Sequence, residues 1–380
     1  MDRREFFEIL AASLASVRLR PERASGSIQL PERQSDFRAW VWFHASRPDD
    51  RAYWRTRFKA LRDAGITGVL VEGSNASTRV IADAAHANGI EFHRWIYTMY
   101  RYFDRYAKRE HPEWFSVSRN GDSSLTRPPY VPQYNWLCPT RDPVRQYLRG
   151  IVDGIARRPE VDGVHLDYIR FIDVILPRGL WSRYNIVQDR EYAQYDFCYC
   201  PVCVDKFRRQ SGIDPRQLRD PSENAAWREF RLDAITEMVT LLGQAARAHD
   251  KKITAAVFAT PALARQYVRQ AWDTWPVDAV FPMIYHHFYL KDVAWIGAAA
   301  REGVVALNGR VPLYAGLFLP RLEPSELARA IALSREAGAS GVSLFSLNTL
   351  NAARLSVLPR SLARDGAPAL ARSDVRTRFE

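Results

Sequence analysis

The sequence predicts a (β/α)8 TIM barrel, an α/β fold with long insertions after its third and fourth strands. Eight short apolar segments alternate with amphipathic stretches in one uninterrupted series. The polar residues that punctuate the strands cluster at their C-terminal ends. The chain also lacks the glycine-rich phosphate loops GxGxxG and GxxxxGK[ST] that mark dinucleotide and P-loop folds.

The barrel is expected over residues 36–358. Residues 37–44 read as the first strand, followed by a helix over 50–63 with Tyr53, Trp54, Phe58 and Leu61 at helical spacing. The second strand spans 68–72, and its helix, 78–88, ends at Gly89, a natural left-handed cap. The third strand, 92–98, and fourth, 161–171, are each followed by a long excursion, residues 99–141 and 172–222, before helices at 142–157 and from Glu223. The later units are tight, with strands at 252–258, 279–285, 312–318 and 341–347 and helices near 262–272, 292–302, 326–337 and 351–358. Connections that follow strands lie on the C-terminal face of such a barrel, so the two excursions should be neighbours above its mouth. Their many aromatic residues suit an organised wall over a sugar-sized cleft.

Composition narrows the function classes. Of 380 residues, 47% are hydrophobic and 12% aromatic, which excludes a largely disordered chain. Lys+Arg 54 against Asp+Glu 43 gives a formal charge of +11, but no polybasic block or nucleic-acid motif accompanies it, so no specific nucleic-acid partner is expected. No apolar run approaches the length of a transmembrane span. Residues 1–35 form an N-terminal extension in which Arg3-Arg4 and the short apolar run to Val17 resemble a twin-arginine signal, implying periplasmic or extracellular export, with a cytoplasmic helix as the alternative. Residues 359–380 read as a flexible tail.

Period-two alternation places His165 and Asp167 on one face of the fourth strand, with Asp167 at the wet rim where a carboxylate is affordable. Glu72, ending the second strand, is the best second carboxylate. With one strand between them, their separation could approach the roughly 6.5 to 9.5 Å of inverting glycosidases. Asp167 is assigned as general base or nucleophile and Glu72 as acid. An ion pair with Arg94 or Arg170 is the bland alternative for Asp167. Loop aspartates Asp104, Asp173, Asp189 and Asp196 are rivals to Glu72. Candidate substrate-binding residues are Trp42, His44, His93, Arg94, Trp95, Tyr97, His165, Arg170, Tyr285, His286 and Asn348, all at or near strand ends. His286 and His287 alternate faces if the sixth strand continues through them, so at most one points inward.

The chain's only cysteines are Cys138, in the first excursion, and Cys198, Cys200 and Cys203, in the second. Four thiolates make a closed tetrahedral zinc shell, suited to a structural site that staples two loops. Paired disulfides and free thiols are the alternatives. The arrangement resembles the zinc site of glycoside hydrolase family 42 β-galactosidases, but here the seventh strand carries no acidic residue. The barrel as a whole resembles the glycosyl-hydrolase-like family of bacterial proteins related to family 10. That likeness rests on Trp40, His93-Arg94-Trp95, Trp136-Leu137-Cys138-Pro139, Asp162 through Phe171, Pro282-Met283-Ile284-Tyr285 and Gly341 through Phe345. It implies an O-glycosidase acting on an oligosaccharide or polysaccharide, without an organic cofactor. Two other classes are a non-catalytic carbohydrate-binding barrel and a metal-dependent hydrolase in which His165, His93 or a sixth-strand histidine would converge with Asp167 on an ion.

Overall fold

A computed structural model describes residues 37–46 and 50–363. The twin-arginine reading of the N-terminal extension falls outside them, as does the C-terminal tail beyond Ala363. Eight parallel strands pair in chain order and close into a barrel. They are β1 (Arg38–His44), β2 (Gly68–Glu72), β3 (Glu91–Tyr97), β4 (Gly163–Asp167), β5 (Lys252–Phe258), β6 (Ala279–Met283), β7 (Tyr314–Phe318) and β8 (Gly341–Phe345).

Eleven helices of the α type surround or surmount the strands among the described residues. They are α1 (Arg51–Asp63), α2 (Asn75–His86), α3 (Arg105–Glu110), α4 (Asp142–Ala156), α5 (Trp181–Tyr184), α6 (Pro201–Ser211), α7 (Ala225–Arg247), α8 (Pro261–Val268), α9 (Ala294–Leu307), α10 (Pro324–Glu336) and α11 (Ala352–Leu362). Local chemistry sets several starts. Ser74 accepts from Ser77 N–H to cap α2, Asn224 from Trp227 N–H to cap α7, and Thr260 from Leu263 N–H to cap α8. The last helix runs on through Pro359 to Leu362, beyond residue 358 where the sequence reading ended it.

The C-terminal ends of β4, β6 and β8 fall short of expectation, β8 stopping at Phe345 before a 3-10 turn over Leu347–Thr349. β4 stops at Asp167, because Tyr168 takes a left-handed backbone conformation (φ 53°) and turns the chain out of the sheet. β6 stops at Met283, and His286 and His287 belong to a 3-10 turn, His286–Tyr289, so the strand alternation expected for them does not apply.

The register builds the interior in layers of four, each layer taken from alternate strands. Trp40, His93, Thr254 and Tyr314 form one layer on the odd strands. Leu70, His165, Phe281 and Ser343 lie above it on the even strands. Trp42, Trp95, Ala256 and Gly316 follow, then Glu72, Asp167, Met283 and Phe345 at the top. Edge-to-face rings tie the layers together: Trp40 lies 5.4 Å from Phe281, and Trp42 lies 4.5 Å from His165 and 5.1 Å from Trp95. Residues of opposite parity, such as Val69, Phe92 and Val164, face the helices in a separate, larger core.

Close strand approach leaves no room for a Cβ at Gly341, which would sit 1.9 Å from the Arg38 carbonyl oxygen. That obstacle is backbone and cannot rotate away. Gly341→Ala is therefore expected to lower stability by about 3 kcal/mol or more. Thermal or urea unfolding close to the wild-type value would contradict this account of the β1–β8 seam.

Candidate active site

The top layer brings Glu72 and Asp167 together on alternate strands, with β3 between them. Two strand spacings set their backbones about 9–10 Å apart, with both side chains directed inward. His44 and Tyr97 stand one step above them, His44 at the end of β1 and Tyr97 paired with Asp167 across β3 and β4.

Asp167 is 8% exposed, whereas His165 beneath it is wholly enclosed. Its two oxygens have different donors. Oδ2 accepts from Trp95 Nε1 at 3.0 Å, and Oδ1 accepts from the backbone N–H of Tyr168 at 2.7 Å, which the left-handed turn aims back at it. Its main-chain carbonyl accepts from Thr98 N–H and Oγ1 at 2.9 and 2.8 Å. Burial pushes the carboxyl pKa up to about 6, partly offset by the two donors and by the nearby Arg170 and His44. Glu72 is more open, and its Oε2 lies 3.0 Å from His44 Nδ1.

The phenol of Tyr97 is held well above the usual tyrosine range by burial and by Asp167 and Glu72. That of Tyr285 is raised in the same direction by burial and Asp167. Both are neutral hydroxyls facing the carboxylates, available to orient a polar ligand. Tyr285 packs against Phe318 and Phe345, 5.3 and 6.0 Å between ring centres, to complete the far wall. Asn348 is exposed just beyond β8, bonded to the Ser346 hydroxyl.

Other sequence candidates lie elsewhere. Arg94 has the opposite parity to His93 and Trp95, so it is buried toward the helix layer, away from the mouth. His93 sits low in the interior between Glu91 and Thr254. Trp42 and His165 form the floor below the carboxylates, and Trp95 serves Asp167 through its indole N–H. His286 is buried beside His287, with no hydrogen-bond partner for Nδ1. Arg170 is committed to Asp173, 2.7 Å from its Oδ2, and lies 4.6 Å over the Trp136 ring. Burial disfavours its charge, but Asp173 and Tyr134 outweigh that and raise its pKa.

Of the loop aspartates, Asp104 caps α3, Asp189 accepts from Tyr192, and Asp196 is buried against Arg231 and Tyr199. Asp173 alone joins the mouth, through Arg170 and Tyr134. Sequence reading named Asp173 as one of four loop rivals to Glu72 without singling it out, although the Arg170-x-x-Asp173 spacing is the signal for that pair.

The excursions are joined as expected. Ser118 bridges Phe197, Val117 N–H donates to Cys198 Sγ at 3.3 Å, and Tyr130 stacks on Tyr195 at 4.5 Å. All four cysteine sulfurs lie within 4.8 Å of one another and are buried. Cys138 Sγ is 3.7 Å from Cys200 Sγ and 3.4 Å from Cys203 Sγ, too far for disulfides and near the about 3.8 Å between sulfurs in a tetrahedral zinc–thiolate shell. The cluster can therefore coordinate a metal. Among the described residues no other group of three or more histidine, cysteine or acidic side chains converges in this way. The convergence required of His165, His93 or His286 with Asp167 does not occur there.

A closed (β/α)8 barrel with paired carboxylates in its top layer defines a protein of the glycoside-hydrolase type. The chain belongs to the family described as Glycosyl hydrolase-like 10, which matches residues 39–327. No curated protein matches it. Among solved structures, it is similar to the glycoside hydrolase domain of PgaB (BpsB) from Bordetella bronchiseptica. The TM-score is 0.63 at 11% identity, covering 86% of this chain and 99% of that one. It is also similar to the catalytic domain of a beta-amylase from Paenibacillus polymyxa, with a TM-score of 0.59 at 10% identity, covering 84% and 94%. These likenesses extend to the fold. No helix among the described residues is long and apolar enough to cross a membrane.

The raised pKa of Asp167 has a consequence for stability. Its folded value, about 6, lies above an unfolded value near 4, so the folded state binds the proton more tightly. The charged carboxylate therefore costs the fold up to about 3 kcal/mol above pH about 6, and that cost disappears as pH falls toward 4. Asp167→Asn should raise stability by about 1–3 kcal/mol at pH 8 and by little at pH 4, measured by urea unfolding. A variant equally destabilised at both pH values would show that the carboxylate is a structural ion-pair member.

Proposed function

We propose that the protein is a glycoside hydrolase that cleaves an O-glycosidic bond in an oligosaccharide or polysaccharide. The observation that carries this reading is the placement of Glu72 and Asp167 in one layer at the barrel mouth, on strands separated by β3. Asp167 acts ionised, as general base or nucleophile. The N–H groups of Trp95 and Tyr168 steady its negative charge and fix the carboxylate plane. Glu72 is assigned the acid: it enters the step as the carboxylic acid, gives its proton to the leaving oxygen and is reprotonated from solvent through His44, whose Nδ1 lies 3.0 Å from its Oε2. Tyr97, Tyr285 and Asn348 orient sugar hydroxyls.

Because Asp167 must be ionised, activity should fall as pH drops through about 6, on the side where the fold gains stability. A screen of polysaccharides and glycosides with wild type beside Asp167→Asn tests the assignment. Turnover should fall at least about 10³-fold in the variant, with glycan binding retained. Equal turnover in both proteins would remove Asp167 from the chemistry. Glycan binding without turnover in either would favour a non-catalytic carbohydrate-binding barrel.

The cysteine cluster we assign to a structural zinc ion held by Cys138, Cys198, Cys200 and Cys203. Burial, the absence of an open coordination position and the spacing of the sulfurs support it. Thr140 Oγ1, 3.1 Å from Cys138 Sγ and 2.8 Å from Cys203 Sγ, completes the surroundings. Purified protein should carry about one zinc per chain, and Cys200→Ser should lose the metal and melt at lower temperature. Metal-free protein with four titratable thiols and wild-type stability would contradict the assignment. We also assign the N-terminal extension to twin-arginine export, on the strength of Arg3-Arg4 and the apolar run after them.

A further inference from the structure

A line of hydrogen bonds climbs the inside of the barrel toward the carboxylates. At its foot, Glu91 is held by Arg38 at 2.9 Å and Lys252 at 2.8 Å. Burial opposes its charge, but His93, Lys252 and Arg38 outweigh that and keep the carboxyl far below its usual range, so Glu91 is an acceptor only. Glu91 Oε1 lies 2.8 Å from His93 Nε2, His93 Nδ1 lies 3.2 Å from Thr254 Oγ1, and Thr254 Oγ1 lies 2.8 Å from His165 Nδ1.

These contacts impose a direction. Facing a carboxylate, His93 Nε2 must carry a hydrogen. The direction of the rest is set from the top. Complete burial keeps His165 neutral, with one hydrogen to place. Its buried Nε2 has no hydrogen-bond partner among the described residues, so Nε2 is the lone pair and Nδ1 carries the hydrogen. His165 Nδ1–H then donates to Thr254 Oγ1, which leaves the hydroxyl hydrogen for His93 Nδ1. The opposite tautomer would strand a buried N–H there, the rarer kind of defect in folded proteins.

Above His165 the chain of contacts continues through rings. His165 meets Trp42 at 87° and 4.5 Å, Trp42 meets Trp95 at 90° and 5.1 Å, and Trp95 donates to Asp167. Rigid aromatic faces at van der Waals contact transmit position, because a close-packed interior has little slack.

We propose that Glu91, His93, Thr254 and His165 form a tautomer-fixing column that supports Trp42 and so holds the Trp95 indole on Asp167, making His165 a positioning residue. The importance of this for catalysis rests on the reading of Asp167 as the reactive carboxylate, but the column and its effect on Asp167 can be measured without any substrate.

The experiment compares wild type with Thr254→Val, which keeps the shape and removes the bridging oxygen, and Thr254→Ser, which restores a hydroxyl. Nitrogen-15 NMR at pH 8 reads the His165 tautomer, and carboxyl carbon-13 NMR reads the Asp167 midpoint. Arg170, His44, Tyr97 and Tyr285 surround that carboxyl unchanged in all three. Wild type and Thr254→Ser should show His165 as the Nδ1–H form, and Thr254→Val a mixture. In Thr254→Val the Asp167 midpoint should rise from about 6 by about half a unit or more, roughly a threefold change in proton affinity, and return with serine. An Nε2–H tautomer in wild type overturns the proposal even if Thr254→Val does not fold. An unmoved Asp167 midpoint in a folded Thr254→Val protein overturns it as well. Neither readout involves turnover, so failure here is distinct from failure of the hydrolase reading.

Discussion

The staggered register of a closed parallel barrel governs this protein. Because strands tilt as they close, residues of alternate strands, and not of neighbours, come to share a level. That geometry puts Glu72 and Asp167 side by side above Trp42 and Trp95. It also leaves Tyr97 and His44 one step higher. A slip of one residue in any strand would exchange its interior and helix-facing sets and dissolve the site.

The same geometry creates an energetic tension. A carboxylate near the top of a packed interior loses water, and the shift of Asp167 to about 6 measures how incompletely its two N–H donors replace that water. The surroundings absorb this cost. Stacked rings below, the Arg170–Asp173–Tyr134 network beside it and the two interlocked excursions above hold the carboxylate in place. The cysteine cluster lies where those excursions meet, so their order and the shape of the mouth depend on one small group of sulfurs.

Much of this was legible in the chain. Eight apolar segments in series specified the barrel, and the alternation around His165 and Asp167 specified which residues face inward. The four cysteines, confined to two loops that a barrel must bring together, specified the cluster. Parity also sorts Arg94 away from the mouth, since it lies between His93 and Trp95. What alternation does not reveal is height. His93, His165 and Trp42 share inward parity with the site residues but lie lower in the interior, and only the pairing of each strand with its neighbours fixes those levels. Strand ends were overextended where backbone geometry intervened, at the left-handed Tyr168 and beyond Met283. The bond from Trp95 to Asp167 joins two strands far apart in sequence and depends on one indole rotamer, which leaves no mark in a single chain.

The central claim is that sugar is bound between the carboxylates of one layer. It is tested most directly by a crystal structure of Asp167→Asn with an oligosaccharide that the variant retains in a glycan-binding screen. The account requires a sugar ring over the mouth, with a glycosidic oxygen in hydrogen-bond reach of Glu72 and the anomeric carbon facing Asn at position 167. An oligosaccharide ordered only on another surface, with that mouth closed over by protein side chains, would contradict it.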